Sequence, residues 1–389
     1  MRFQSYLHSA ITVLQSYNGN EPFHLFIKKF FAADKKYGSR DRKHIASLCY
    51  NYFRLGHSAD NIAVEEKILI ATLLCENKPS AFLESLKPEW SSFIEKPLAE
   101  KLSILHSPFS IQNIFPFKDE ISEGIDVEKF NLSFLIQPDL FLKIRPGNIK
   151  RVTGKLSGAG LSYKIVSEDC IAIPNSSKVD AVIELDKEAV VQDYNSQKVA
   201  GFIQLKAKNN KQPTVWDCCA ASGGKSIMAY DINPNIELTV SDKRQSILEN
   251  LKKRFAVAGI KKYYPFIADI TTDNWQKETK KFDLIICDAP CTGSGTWSRT
   301  PEQLFYFKKD AIEKYAVLQK KILENVVSHL KPGGHLLYIT CSVFKKENED
   351  VVKYAEENFK LRLKRMELLK GYEMKADTLF AALFTAPGA

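Results

Sequence analysis

The sequence predicts an α/β chain in which residues 191–389 form a doubly wound parallel sheet. A small α+β module at 126–190 and an all-helical region at 1–125 precede it. Three observations carry this reading. From residue 190 onward, apolar runs of strand length alternate with helical segments. Four of these runs end in an acid: PTVWD at Asp217, ELTVSD at Asp242, YYPFIAD at Asp269 and FDLIICD at Asp288. Residues 1–125, by contrast, lack strand alternation and glycine-rich turns. In open α/β sheets ligands bind outside the carboxyl ends of the strands, so chemistry is expected at those acids.

Composition sets the bounds. A chain of 389 residues accommodates two or three domains. Its net charge of +9 suits a polyanionic partner. No apolar run approaches the ~18 residues of a membrane span, and the start, MRFQSYLHSA, lacks an apolar signal core. A cytoplasmic protein without a membrane partner is expected. The eight cysteines are irregularly spaced and the seven histidines scattered, which argues against a disulfide framework. No metal site is expected, because Cys287 belongs to a strand while Cys291 falls on the loop after it.

In the N-terminal region, apolar residues recur at helical spacing in Tyr6, Leu7, Ala10, Val13 and Leu14, and again in Ile45, Leu48, Cys49, Tyr52 and Phe53. Ser39 and Asp41 are candidate caps for the second of these helices. A basic cluster, Lys28, Lys29, Lys35, Lys36, Arg40, Arg42 and Lys43, lies among Phe30, Phe31 and Tyr37. It reads either as a phosphate-backbone contact or as a solvated face whose aromatics turn inward. The proline-rich stretch 80–135 predicts short helices and connections. In 138–190, PDLFLKIRPG, YKIVSED and IAIPN are strands and Asn148–Leu156 a short helix, with Arg145 a candidate RNA contact or a structural arginine. VVQDYNSQ then leads into a helix through Leu205.

The loop Ala220-Ala221-Ser222-Gly223-Gly224-Lys225-Ser226 follows the strand ending at Asp217. A triphosphate-binding loop needs a glycine separated by four residues from its Gly-Lys-Ser, and that position is Cys219. A GxGxxG fingerprint is also absent. What remains is a small-residue loop that lets a ligand approach backbone, with Asp242 suited to a ribose diol and Asp269 to an adenine amino group. A cofactor with an adenosine but no phosphate chain fits, and S-adenosylmethionine is the common one. The fourth strand delivers Asp288-Ala289-Pro290-Cys291 and a loop broken by Gly293 and Gly295. After a long helix at 309–330 and the turn Lys331-Pro332-Gly333-Gly334, the fifth strand, GHLLYITC, ends in Cys341. If the two strands are neighbours, two thiols and a carboxylate converge. MELLKG and TLFAALF in the tail predict an antiparallel edge hairpin.

These motifs jointly resemble those of the RsmB/Sun (Fmu)-type RNA cytosine-5 methyltransferases, a family that includes the Nop and NSUN proteins. Asp217 to Ser226 resembles its Asp-x-Cys-Ala-Ala-Pro-Gly-Gly-Lys-Thr loop, Asp288 to Gly295 its Asp-Ala-Pro-Cys-Ser-Gly-x-Gly, and Thr340-Cys341-Ser342 with Glu347-Asn348-Glu349 its Thr-Cys-Ser…Glu-Asn-Glu block. Gln192-Asp193 with Ser196-Gln197 is similar to the start of the family's fold, 138–190 to its small α+β (ferredoxin/RRM-like) module, and Ser39–Arg54 to the NusB-like RNA-binding domain of the bacterial ribosomal members. Departures are Ser222 for proline, Ser226 for threonine, Trp297-Ser298-Arg299 for a more arginine-rich run, and Asp377-Thr378-Leu379-Phe380 for Asp-Gly-Phe-Phe.

The resemblance implies a Rossmann-like class I S-adenosylmethionine methyltransferase domain acting on RNA, ribosomal by preference. The alternatives are a transfer-RNA cytosine-5 methyltransferase, or an idle RNA-binding ribosome assembly factor on the same fold. It implies Cys341 as the thiolate that attacks cytosine, Cys291 as the group that helps resolve the adduct, and Asp288 on the ring edge. The Pro290-Cys291 pair keeps the opposite thiol assignment open, since DNA cytosine-5 methyltransferases attack from a Pro-Cys. Cys219, Ala220, Ala221, Ser222, Gly223, Gly224, Lys225, Asp242, Arg244, Asp269, Asp288 and Pro290 would hold the cofactor, with Lys225 on its carboxylate or on Asp288. Arg145 and Arg299 are candidate substrate contacts.

Overall fold

The computed structural model describes residues 2–34, 36–105, 109–205, 211–272 and 280–388. They fall into two compact units. The first comprises Met1–Asp119, Ile125–Gln137 and Thr296–Lys309. Its main helices are Arg2–Ser16, Phe23–Ala33, Ser39–Arg54 and Val64–Cys75, which bury Leu7, Ala10, Ile45, Leu48 and Phe53. At the start of the third helix the Asp41 carboxylate accepts the Gly38 N–H (3.1 Å), so Asp41 acts as the expected cap and Gly38 occupies the capping position. In the basic cluster Phe31 and Tyr37 are buried while Lys28, Lys29, Lys36, Arg40, Arg42 and Lys43 are exposed, an arrangement compatible with either a solvated face or a phosphate contact. Lys35 lies outside the described residues.

The module boundary expected at 126 moves to 138. The helix Val127–Ser133 packs with the helical unit, where Phe130 lies 5.2 Å from Phe115. The buried Arg54 explains why. Its guanidinium donates to the carbonyls of Phe134 (2.8 Å) and Ser298 (3.0 Å), tying the Ser39–Arg54 helix to both later segments of the same unit. A buried guanidinium needs such acceptors, since an unpaired buried charge is costly.

The second unit comprises Glu120–Gly124, Pro138–Gly295 and Asp310–Ala389. It holds two sheets. The smaller is antiparallel, in the order β2-β3-β1-β4, with β1 Leu140–Ile144, β2 Lys164–Ser167, β3 Cys170–Ile173 and β4 Ala189–Val191. The helix Ile149–Gly158 buries Val152 and Leu156 on it. The larger sheet has seven strands in the order β10-β11-β9-β8-β5-β6-β7. Its parallel part is β5 Thr214–Asp217, β6 Glu237–Asp242, β7 Tyr264–Ile267, β8 Phe282–Asp288 and β9 Leu330–Thr340. The tail hairpin, β10 Arg362–Leu369 and β11 Leu379–Thr385, adds antiparallel to β9, as expected of the tail.

Both faces of this sheet are covered, so the strands read as continuous apolar runs. On one face Val215, Leu284 and Leu337 pack against Ile227 and Phe255 of the helices Gly224–Ile232 and Gln245–Ala258. On the other, Trp216, Ile285 and Tyr338 pack against Ile322 and Val351 of Asp310–Val327 and Glu349–Phe359. The strand order reverses at β5, between β6 and β8, which opens a crevice at its carboxyl end.

Two local expectations change. Lys331 to Gly334 is not a turn before the fifth strand but an irregularity within β9, where the register with β8 shifts between Phe282 and Leu284. Gly334 fits there because a Cβ would lie 2.9 Å from the Lys331 carbonyl oxygen and 3.0 Å from that of Phe282. The helix expected through Leu205 stops early, as Tyr194–Lys198 followed by a 3-10 turn at Val199–Phe202. Gly201 in that turn is a poor helix former, by about 1 kcal/mol relative to alanine.

Candidate active site

The loop after β5 is shaped by packing. Gly223 has φ +86°, and a Cβ there would meet the Phe255 ring at 2.6 Å. Only glycine brings the helix Gly224–Ile232 this close to Gln245–Ala258. Ala221 takes φ 45°, an uncommon conformation for a residue with a side chain. Its N–H donates to Asp242 Oδ2 (3.1 Å). Ser222 faces away, its carbonyl and hydroxyl both accepting from Arg254. Lys225 and Ser226 are also occupied within the fold. Ser226 Oγ donates to Asp217 Oδ2 (2.6 Å), and Lys225 Nζ lies 3.1 Å from Asp288 Oδ2 while donating to Ser196 Oγ (2.6 Å). The Gly-Gly-Lys-Ser therefore organises two strand ends rather than a phosphate chain.

Outside these strand ends lies a cavity of about 490 Å³, within the range of small-molecule sites. Asp242, Asp269, Asp288 and Pro290 line it, with Cys219 and Ala221 from the loop and Tyr315 from the helix Asp310–Val327. Burial works against the Asp242 charge, yet the hydrogen bonds of Arg244 and the Ala221 N–H hold its carboxyl below the usual range. Hydrogen bonds from Thr271 do the same for Asp269. Both acids therefore offer charged acceptors to hydroxyls or an amino group. Asp217, fully buried behind the loop, is pushed up to about 7 by desolvation despite its Ser226 partner.

Beside Asp288 two thiols meet. Strands β8 and β9 are parallel neighbours with Asp288 alongside Ile339, so their carboxyl ends emerge together. Cys291 Sγ and Cys341 Sγ lie 3.3 Å apart. The Cys341 sulfur, then burial, raises the Cys291 thiol well above its usual range, which keeps the proton on Cys291. The loop carrying Cys291 is fastened to the segment after Cys341 by Glu347. Its carboxylate accepts from Thr292 N (2.9 Å), Thr292 Oγ1 (2.6 Å), Ser342 Oγ (2.7 Å) and Gln319 Nε2 (3.0 Å). Gly295 closes the arrangement: its N–H donates to Cys341 O and its carbonyl accepts from Thr378 N, both at 2.9 Å. Asn348 bonds Thr340 Oγ1 (2.6 Å) and Ser342 O (2.9 Å).

Residues 202–383 match the family described as 16S rRNA methyltransferase RsmB/F. That stretch of the chain belongs to the RsmB/F methyltransferase family. Ribosomal RNA small subunit methyltransferase B of Shewanella oneidensis is 32% identical over 188 residues, covering 48% of this chain and 43% of that protein. Its counterpart in Xanthomonas campestris pv. campestris is 35% identical over 162 residues, covering 41% and 36%. The matched stretch thus spans less than half of either relative. Among solved structures, PH0851 shares the fold over 97% of this chain and 98% of its own, with a TM-score of 0.70 at 20% identity. NSun6 from Pyrococcus horikoshii, solved with SFG, gives a TM-score of 0.58 at 14% identity over 68% of this chain and 95% of its own.

Within this RsmB/F domain most of the expected residues come together. Cys219, Ala221, Asp242, Arg244, Asp269, Asp288 and Pro290 line the cavity. Ala220, Ser222, Gly223, Gly224 and Lys225 do not, and act as the backbone and ion-pair framework of the loop. Arg145, expected as an RNA contact or a structural arginine, is engaged within the fold. Its side chain is 11% exposed, paired with Asp231 at 2.7 Å and donating to the carbonyls of Asp186 (3.0 Å) and Ala258 (2.7 Å). Arg299 belongs to the helical unit, whereas the cavity residues belong to the second, and its N–H caps a turn at Thr296 O. Thr271, Tyr315, Glu347 and Gln319 escaped sequence reading as site residues. Glu347 lies in the Glu-Asn-Glu block, but its four hydrogen bonds come from three separate elements. Among the described residues no helix is long and apolar enough to cross a membrane.

Proposed function

We propose that this chain is an S-adenosylmethionine-dependent RNA cytosine-5 methyltransferase that acts on ribosomal RNA through a covalent Cys341–cytosine adduct. The observation that carries the reading is the Cys291–Cys341 pair, 3.3 Å apart, on the loops beside the Asp288 carboxylate. The cavity fits the cofactor's chemistry: Asp242 and Asp269 accept from a ribose diol and an adenine edge, and neither Lys225 nor Ser226 is left to hold a phosphate. S-adenosylmethionine, when bound, supplies a methyl group on a sulfonium centre.

The chain's own residues then divide the work. Carbon 5 of cytosine is too weak a nucleophile unaided. The Cys341 thiolate forms a carbon–sulfur bond at carbon 6, and the ring's double-bond electrons move onto carbon 5. Asp288, held by Lys225, accepts from the amino group on the ring edge, and in its proton-bearing form would donate to nitrogen 3 as charge gathers there. Once carbon 5 carries the methyl group, a base removes its proton with Cys291 assisting as a neutral thiol, the 5,6 double bond re-forms as the carbon–sulfur bond breaks, and Cys341 leaves as thiolate. The raised thiol of Cys291 favours this division, because its proton stays in place while Cys341 attacks. The target base must leave its stack to reach the thiols, so looped or single-stranded RNA is the substrate form.

The test is a denaturing gel of protein incubated with total cellular RNA and S-adenosylmethionine. A denaturation-resistant adduct is expected with Cys291→Ala and absent with Cys341→Ala. The reverse pattern reassigns the nucleophile to Cys291. No adduct, with no 5-methylcytosine made by the wild type, removes the enzymatic reading.

A further inference from the structure

Cys218, Cys219 and Cys287 take no part in the proposed reaction, yet they meet one another. Their meeting follows from strand register. In the parallel pair β5–β8, Asp217 lies alongside Ile286, and the Cys218 N–H donates to Ile286 O (2.9 Å). The next residue on each strand is a cysteine, so Cys218 and Cys287 end up side by side. β5 stops at Asp217 and the chain turns, so Cys219 is not sent to the opposite face as it would be in a continuing strand. The three sulfurs all lie within 4.8 Å of one another. Cys218 and Cys287 are buried, Cys219 is half-buried, and both Cys218 and Cys219 line the cavity, so the cluster is open on that side.

The donor set narrows the ligand. Among the described residues this is the single group of three or more histidine, cysteine or carboxylate side chains close enough to share an ion, and all its donors are sulfur. Structural zinc almost always takes four ligands in a tetrahedron. Three thiolates without a nitrogen or oxygen partner are a soft set, which selects monovalent copper among biological cations. We propose that Cys218, Cys219 and Cys287 form a three-sulfur site for a soft, thiophilic cation of the Cu(I) class, entered from the cavity. Three sulfur–metal bonds form as the three thiols release their protons, and no electrons are exchanged. The site uses neither Cys291 nor Cys341, although it shares Cys218, Cys219 and the cavity with the proposed cofactor.

The experiment titrates the reduced full chain anaerobically with Cu(I) against a chromogenic Cu(I) chelator. Wild type and Cys291→Ser/Cys341→Ser are each expected to hold one equivalent, with X-ray absorption showing a shell of three sulfurs. Cys218→Ser/Cys287→Ser should bind more than about 100-fold more weakly, since loss of mere supporting groups already costs metal sites 10–100-fold. Two buried serines can disturb β5 and β8, so a second measurement uses the wild-type sequence. Bound Cu(I) should shield Cys219 from alkylation, read by peptide mapping, while Cys291 and Cys341 label at their metal-free rates. The proposal fails if wild type holds no copper, if the Cys291→Ser/Cys341→Ser protein loses it, if the Cys218→Ser/Cys287→Ser protein keeps it, or if Cys219 stays reactive.

Discussion

Lys225 Nζ stands 3.1 Å from Asp288 Oδ2, joining the helix after β5 to the carboxyl end of β8. The lysine side chain is 9% exposed and the carboxylate 35%, so the pair lies half in protein and half at the cavity wall. Ser196 Oγ accepts a second hydrogen bond from the ammonium (2.6 Å), fixing its direction. A lysine in a Gly-Gly-Lys-Ser loop thus orients an acid instead of a phosphate.

Lys225→Met should therefore act on the reaction more than on the cofactor. Removing one preorganised electrostatic partner costs about 10²-fold or more in kcat. Steady-state methylation is expected to fall by about that factor, with S-adenosylmethionine affinity by calorimetry little changed. A parallel collapse of cofactor affinity would make Lys225 a cofactor ligand instead.

Asp217 gives a pH prediction with a definite sign. Burial raises its carboxyl to about 7 in the fold, above the ordinary range it regains when unfolded. The folded state then holds the extra proton between the two values, so this group's stabilisation is present at low pH and lost as pH rises toward about 7. Asp217→Asn keeps an acceptor for Ser226 Oγ and carries no charge. Its melting temperature relative to wild type should rise from about pH 4 to about pH 7 and level off above that. A constant difference across that range would contradict the raised value.

How far the sequence reached can be judged at particular residues. The strand ends were legible because a buried parallel strand is an uninterrupted apolar run, and Asp217, Asp242 and Asp288 each close one. Cys291 and Cys341 were legible as partners only if β8 and β9 were neighbours, which their register establishes. Arg145 was misleading because its partner, Asp231, lies 86 residues away and spacing carries no trace of it. The boundary at 138 was hidden for the same reason: Arg54 reaches carbonyls 80 and 244 residues on. Local pattern reports local structure, and side chains that bridge distant segments leave none.

Gly295 is expected to tolerate no side chain. A Cβ would lie 2.0 Å from Thr378 O, a backbone atom that cannot swing aside. Gly295→Ala should destabilise the chain by more than about 2–3 kcal/mol, or separate the Cys291 loop from Cys341. Gly154 is the control. It lies inside the helix Ile149–Gly158 with open space where a Cβ would go, so Gly154→Ala should stabilise by about 0.5–1 kcal/mol. Chemical denaturation of both variants checks the contrast.

Arg145→Ala separates a structural arginine from an RNA contact. The Arg145–Asp231 pair is about nine-tenths buried on both sides, and breaking such a pair costs about 3–5 kcal/mol. The melting transition should drop accordingly. RNA affinity, measured below that transition, should stay at the wild-type value with the same salt dependence. A weaker affinity with a shallower salt slope would return Arg145 to the RNA surface.

Glu347 yields the sharpest contrast between two substitutions at one position. Its Oε1 accepts only hydroxyls, Thr292 Oγ1 and Ser342 Oγ, whereas Oε2 accepts only N–H groups, Thr292 N and Gln319 Nε2. Hydroxyls rotate between donor and acceptor roles, but N–H groups do not. Glu347→Gln can therefore keep its carbonyl on the two N–H groups and turn its amide toward the two hydroxyls. Glu347→Ala leaves those N–H groups buried without an acceptor, at about 1–3 kcal/mol each, and frees the Cys291 loop. In the Cys291→Ala background, adduct formation should persist with Glu347→Gln and largely vanish with Glu347→Ala. Burial also raises the Glu347 carboxyl, so its contribution to stability is greatest at low pH and declines as pH rises. Glu347→Gln should accordingly gain on wild type in melting temperature as pH rises above the ordinary carboxylate range. Equal loss of adduct in both variants would show that the charge itself, and not the pattern of acceptors, holds the two cysteines together.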